Sequence, residues 1–172
     1  NAHLCAAINS ALGNIGSTLR PDLPVFICSG NDNVMANAMA DMAEGSVGAL
    51  VLVGVNPAYN RVGFAEALGK VAYSLSLCDR LDETASLTSA AAPIPHYLEA
   101  WADFTPTISE LALAQPTIRP LFNSKSALEV LGALTGNTQS SKDWIKGTVA
   151  GFGLSWSQTL HDGGASLSNN VS

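Results

Sequence analysis

Three short polar stretches hold most of the residues that could do chemistry. They are Ser29-Gly30-Asn31, Gly54-Val55-Asn56-Pro57, and Cys78-Asp79 running on to Asp82-Glu83-Thr84, and each follows an apolar run. In an open α/β sheet, loops beyond the carboxyl ends of the strands line the ligand crevice. The lining expected here is polar and net acidic. Asp79 with Asp82 or Glu83 supplies a pair of carboxylates, the minimum for general acid–base work. Nothing around them predicts displaced pKa values. The same residues have structural uses. Asn56-Pro57 can end a strand, because Asn tolerates the left-handed turn and Pro cannot continue the pairing. Asp82-Glu83-Thr84 suits the start of a helix, where the dipole favours negative charge.

Other chemistries find little support. No GxGxxG follows the first strand signal and no Walker-type Lys is present, which argues against an ordinary NAD or ATP site. There is no GxSxG elbow, and no serine stands out as a nucleophile. His3, His96 and His161 lie far apart, and His96 beside Tyr97 reads as a structural hydrogen-bonding residue. Cys5, Cys28 and Cys78 are 23 and 50 residues apart, unlike a zinc ribbon or an iron–sulfur ligand run. Each has apolar neighbours and reads as a small buried hydrophobe. Their odd number argues against a disulfide scaffold.

The elements that would position these loops follow from periodicity. Leu4, Ala7, Ile8, Ala11, Leu12 and Ile15 recur at helical spacing, and Asn14 and Gly16 end that helix. Val25-Phe26-Ile27-Cys28 is a short strand. Ser29 to Asp32 offers caps for a second helix on Val34, Met35, Ala38, Met39 and Met42, closed by Gly45. Ala49 to Val53 is the strongest strand, apolar on both faces, as a central parallel strand should be. A short helix on Phe64, Ala65, Leu68 and Val71 precedes a third strand, Ala72 to Leu77. Strand, helix, strand, helix, strand with short connections predicts a parallel sheet.

Beyond residue 80 the pattern loosens. A helix from Asp82 to about Ser89 is expected. Ala90 to Pro95 is small and apolar, and residues 97–122 read as mostly extended or looped. Helical spacing returns at Leu128, Val130, Leu131 and Leu134, and near Trp144, Ile145 and Val149. The expectation is one α/β domain over residues 1–163 and a flexible tail over 164–172.

The chain of 172 residues is long enough for a core without disulfides or metal. Charged residues make up 13%, about half the usual share. With 47% apolar residues this is not a disordered chain, and its low charge suits a surface covered by other protein. The net charge is −6, and the eight Lys and Arg are scattered, so nucleic acid is a poor partner. The run from Val47 to Val55 is too short to span a bilayer, so no direct membrane insertion is expected. The start Asn1-Ala2-His3, without Met, reads as a tag remnant on a piece of a larger polypeptide.

The order of the loops resembles a known superfamily. Leu12-Gly13-Asn14-Ile15-Gly16 is similar to the LxGNxG that ends a helix in molybdopterin oxidoreductases. Gly54-Val55-Asn56-Pro57, Asp82-Glu83-Thr84-Ala85, Pro93, Glu99 and Asp103 follow in the order found in the Rossmann-like third domain of those enzymes. Asn56-Pro57-Ala58-Tyr59-Asn60, Phe64 to Leu68, His96-Tyr97-Leu98-Glu99-Ala100-Trp101, Gln115 to Phe122 and Leu160-His161-Asp162-Gly163 more closely resemble the large iron–sulfur subunit of alternative complex III, a bacterial quinol:electron-acceptor oxidoreductase. The resemblance spans roughly residues 4–163.

It implies a Rossmann-like three-layer sandwich with a mainly parallel sheet, cut from a larger molybdopterin-oxidoreductase-like protein. In that branch the pterin cofactor has been lost, and the iron–sulfur clusters lie in a portion not represented here. The fragment would then be a non-catalytic scaffold without a cofactor of its own. It would pack against other domains of its parent and other subunits of a membrane-bound respiratory complex, on the extracytoplasmic (periplasmic) side. The alternative is a molybdopterin-guanine-dinucleotide-binding domain of an active molybdoenzyme, with Asn56, Pro57, Asp79, Glu83 and Thr84 lining the groove. Catalytic members read ADVVLP where this chain has Ser89-Ala90-Ala91-Ala92-Pro93-Ile94, which points away from cofactor binding. The complex III branch carries Gly where this chain has Ala102.

Overall fold

The computed structural model describes residues 2–25 and 31–167. Its residues group into two compact units, where the sequence predicts one domain. One unit comprises Gly30–Ala102 and Ala114–Thr148. The other comprises Asn1–Ser29, Asp103–Leu113 and Val149–Ser172. The fold is mixed α/β, with a three-stranded parallel sheet and a separate antiparallel sheet.

The parallel sheet belongs to the first of these units. Helix α2 (Asp32–Ala43) starts at Asn31, whose side-chain oxygen accepts the Asn33 N–H at 2.9 Å. Strand β1 (Ala49–Val53) ends at Gly54, which takes a φ of 59° that a side chain would strain. Two short helices follow, α3 (Pro57–Asn60) and α4 (Phe64–Leu68), then β2 (Tyr73–Cys78). A single 3-10 turn at Ala85–Leu87 stands where a helix to Ser89 is predicted. Ala90–Pro93 forms β3, a strand the sequence pattern leaves unassigned because four small residues carry no alternation.

Strand order is β1-β2-β3, with Val51 opposite Leu75 and Leu77 opposite Ala92. β2 is therefore central, and among the described residues β1 is an edge. β1 is also expected to be buried on both faces, and it is not. Leu52 is buried and Leu50 packs beside it, while Val51 and Val53, on the other face, are exposed. Leu52 joins Met42, Phe64, Ala67, Leu68 and Val71 in one core, so α2 and α4 cover that face of the sheet. Burying a side chain the size of Phe64 stabilises by about 2–3 kcal/mol. The predicted strand Val25–Cys28 falls largely on residues 26–28, outside the described residues; Val25 makes an isolated antiparallel bridge to Thr107.

In the same unit, α5 (Ala127–Leu134) opens on a capping box between Ser126 and Glu129. Helix α6 (Ser141–Gly151) begins there and runs into the second unit.

The second unit holds α1 (Ala2–Ala11), most of β4 (Ala102–Thr107) and β5 (Glu110–Ala114), helix α7 (Trp156–Asp162), and β6 (Gly164–Ser166). Strand order is β4-β5-β6, and Leu111 lies opposite Ala165. Residues 97–122 thus contribute two strands, β4 and β5, to this second sheet. Gly164–Ser166 is paired, where the sequence predicts a tail; residues 168–172 lie outside the described residues. Gly164 fits because a Cβ there would come within 2.5 Å of the Leu111 carbonyl oxygen. Helix α1 has no buried residue, and Cys5 on it is exposed, contrary to the expected buried cysteine; Cys78 is buried as expected, and Cys28 lies outside the described residues. Among the described residues no helix is long and apolar enough to cross a membrane.

Candidate functional site

The parallel register brings the exits of β1 and β2 to one rim. Gly54 N–H donates to Leu77 O at 2.9 Å, tying the two ends together. The third predicted exit, Ser29-Gly30, lies outside the described residues, and Asn31 caps α2.

Four of the five candidate residues meet at this rim. The Asn56 side-chain oxygen accepts the Thr84 backbone N–H at 3.1 Å and the Thr84 hydroxyl at 2.7 Å. Asn56 Nδ2 donates to Glu83 Oε2 at 2.6 Å. The Thr84 hydroxyl in turn accepts the Ala58 N–H at 2.9 Å, one residue after the buried Pro57 that opens α3. Thr84 is 0% exposed. A buried hydroxyl must find both roles inside the protein, and here it does. Asp79 stands apart from this network. It pairs with Arg80 through two bonds of 3.2 and 3.0 Å, both side chains being exposed. Asp82 Oδ1 accepts the Ala85 N–H at 2.8 Å and so caps the 3-10 turn, which is the structural use its position suggests.

The electrostatics agree with this geometry. The Asn56 amide, followed by a backbone N–H, holds the Glu83 carboxyl below its ordinary value. The Arg80 guanidinium does the same for Asp79. Both groups are stabilised in their ionised form. A general acid at neutral pH needs the opposite shift.

The pterin dinucleotide implied by the alternative reading needs hydrogen-bond donors for its phosphates and guanine. The Asn56 and Thr84 polar groups are engaged with each other, and Arg80 is held by Asp79. The hollow beside these strand ends, between Cys78–Leu81 and Ala91–Pro93, has a volume of about 270 Å³. Pockets for small ligands start at about 300 Å³, and a dinucleotide needs several times a small ligand's room. Among the described residues, this donor set does not fit that group. Among the described residues no cluster of three His, Cys, Asp or Glu could hold a metal ion. His96 caps the 3-10 turn at Tyr97–Glu99, its Nδ1 accepting the Leu98 N–H at 3.3 Å. His161 lies 2.8 Å from Asp162.

Sequence reasoning picks out His96–Trp101 and Gln115–Phe122 only through resemblance and gives them no shared role. The structure joins them. Thr117 and Ile118 N–H donate to Leu98 O at 2.7 and 3.1 Å. Glu99 uses one carboxylate oxygen for the His96 N–H (3.1 Å) and the other for the Leu121 N–H (3.2 Å). Between these segments and the starts of α5 and α6 lies a cleft of about 550 Å³. The sequence signal was Glu99 three residues after His96, the spacing of a capping box.

No protein-family model matches the chain, and no curated protein matches it either.

Proposed function

We propose that this chain is a non-catalytic scaffold domain of a larger protein, one that packs against neighbouring domains and subunits. The observation that carries the reading is the closed rim. At the strand ends, where an α/β fold places its chemistry, Asn56, Glu83 and Thr84 bind one another, and the Glu83 carboxyl is held in its ionised form. A second observation supports it. Among the described residues, large apolar side chains such as Leu4 (64% exposed), Leu12 (69%) and Val62 (101%) face outward. Leu4, Ile8 and Leu12 recur at helical spacing on and just beyond α1, an apolar stripe of the kind that partner protein covers.

We further infer, from the resemblance of its loop strings, that the parallel sheet is the remnant of a Rossmann-like sandwich. The parent would be a molybdopterin-oxidoreductase-like iron–sulfur subunit of a respiratory electron-transfer complex, on the extracytoplasmic side of a bacterial membrane. The exposed apolar faces are the surfaces such a complex would cover.

Metal and pterin analysis of the parent polypeptide, purified from its native membranes, tests this. Iron without molybdenum, tungsten or pterin is the expected result. Stoichiometric molybdenum or tungsten with pterin would replace the scaffold reading with the dinucleotide-binding one. Absence of iron as well would remove the respiratory assignment.

A further inference from the structure

We propose that the cleft beside Trp101 binds a small organic oxyanion: a flat apolar body carrying one carboxylate or phosphate. The inference does not rest on the scaffold reading, because the cleft involves none of the strand-end residues. Its volume, about 550 Å³, falls in the range of small-molecule sites.

Its charges are unevenly committed. Both carboxylates on the lining are engaged by the protein's own donors. Glu99 holds the His96 and Leu121 N–H groups. Glu129 accepts the Ser126 N–H on one oxygen and the Ser141 N–H, with its hydroxyl at 3.5 Å, on the other. Neither is in a salt bridge with the two cations of the lining, Arg119 and Lys142. Lys142 Nζ instead lies 5.3 Å from the centre of the Trp101 ring. An ammonium so placed keeps its donors for a further partner.

The cleft also holds an orphan. The Ser124 hydroxyl is buried and has no hydrogen-bond partner, and Ser124 lines the cleft. A buried hydroxyl left unpaired is costly, so it marks a place where an acceptor is missing. One oxyanion would serve all three groups, neutralising Arg119 and Lys142 and giving the buried Ser124 hydroxyl an acceptor once the lining yields to it. Trp101, Pro116 and Pro120 supply apolar surface for the rest of the ligand. The first turns of α5 and α6 open onto the same space and add their favourable dipoles.

Calorimetric titration of the full chain tests this with three probes: 2-naphthoate, 2-naphthyl phosphate, and the neutral 2-naphthamide. Saturable one-to-one binding of at least one anion is expected, about tenfold tighter than the amide. The two anions separate a carboxylate ligand from a phosphate one. Lys142→Gln and Arg119→Gln should each weaken the anion about three- to fivefold and leave the amide unchanged. Ser124→Ala should weaken the anion while raising or preserving thermal stability, since it removes an unpaired hydroxyl. Equal affinity for anion and amide, or anion binding indifferent to both cation variants, would overturn the proposal. So would the absence of saturable binding by either anion at millimolar concentration, including a result in which only an acidic peptide such as hexaglutamate binds.

Discussion

The side chain of Asn56 closes on Thr84, 28 residues further along the chain, accepting both its backbone N–H and its hydroxyl. One amide thereby joins the exit of β1 to the loop that follows β2. Because Thr84 is fully buried, either partner left alone would keep an unsatisfied polar group. Thr84→Val, close in shape, removes the hydroxyl that also accepts Ala58 N–H. It should cost about 1–3 kcal/mol, as should Asn56→Ala, each read as a fall in thermal midpoint of several degrees. The double variant should cost clearly less than the sum, the signature of one shared network. Strict additivity would mean that the two residues act independently.

Acid should loosen the same rim. The folded-state pKa of Glu83 is depressed by the Asn56 amide, and that of Asp79 by Arg80. A depressed carboxyl contributes stability that is fully present above its ordinary value, about 4.3 for Glu. That contribution disappears as pH falls through the lower folded value. Thermal midpoints followed from neutral pH down to about pH 3 should therefore drop. Glu83→Gln should flatten this drop without steepening it.

Glu99 ties the 97–99 turn to the segment ending at Leu121 by one bond from each carboxylate oxygen. Glu99→Ala should cost about 0.5–1.5 kcal/mol and speed proteolytic nicking within residues 117–122. Glu99→Gln, which keeps one acceptor, should fall between the variant and the parent. Cleavage unchanged in both would show that the Leu98 carbonyl alone holds the segment.

Gly164 sits where the backbone of β5 passes close to it. A methyl there would meet the Leu111 carbonyl oxygen at 2.5 Å and Ala112 Cα at 3.3 Å. Gly164→Ala should destabilise by about 1–3 kcal/mol. Hydrogen exchange at the Leu113 amide, bonded to Gly163 O at 2.9 Å, should quicken first.

What could be read from the sequence was what depends on local chemistry. Ala49–Val53 and Tyr73–Cys78 carry enough β-branched or apolar residues to declare themselves, and Asn31 and Gly45 bracket α2 as caps do. Ala90–Pro93 could not be read, since its strand character comes from pairing with Leu75–Cys78 and not from its own side chains. The same holds for Gly164–Ser166, which are turn-forming residues held in a strand by Glu110–Ala112. At the rim the structure brings Asn56, Pro57, Glu83 and Thr84 together, as the order of the loops leads one to expect of the strand exits. Sequence reasoning could not foresee that they would satisfy one another, because hydrogen bonds across 28 residues leave no local pattern. Asp79 was grouped with them by proximity in the chain, yet its nearest cation is its own neighbour, Arg80.

A scaffold domain must have its outward apolar faces covered by other protein. Carbene footprinting tests this directly, comparing the isolated chain with the same residues inside the parent polypeptide in its native complex. Labelling at Leu4, Ile8 and Leu12 on α1 and just beyond it, and at Val51 and Val53 on β1, should fall severalfold in the complex, while Glu83 and Asp79 change little. Equal labelling of those apolar residues in both samples would contradict the scaffold role.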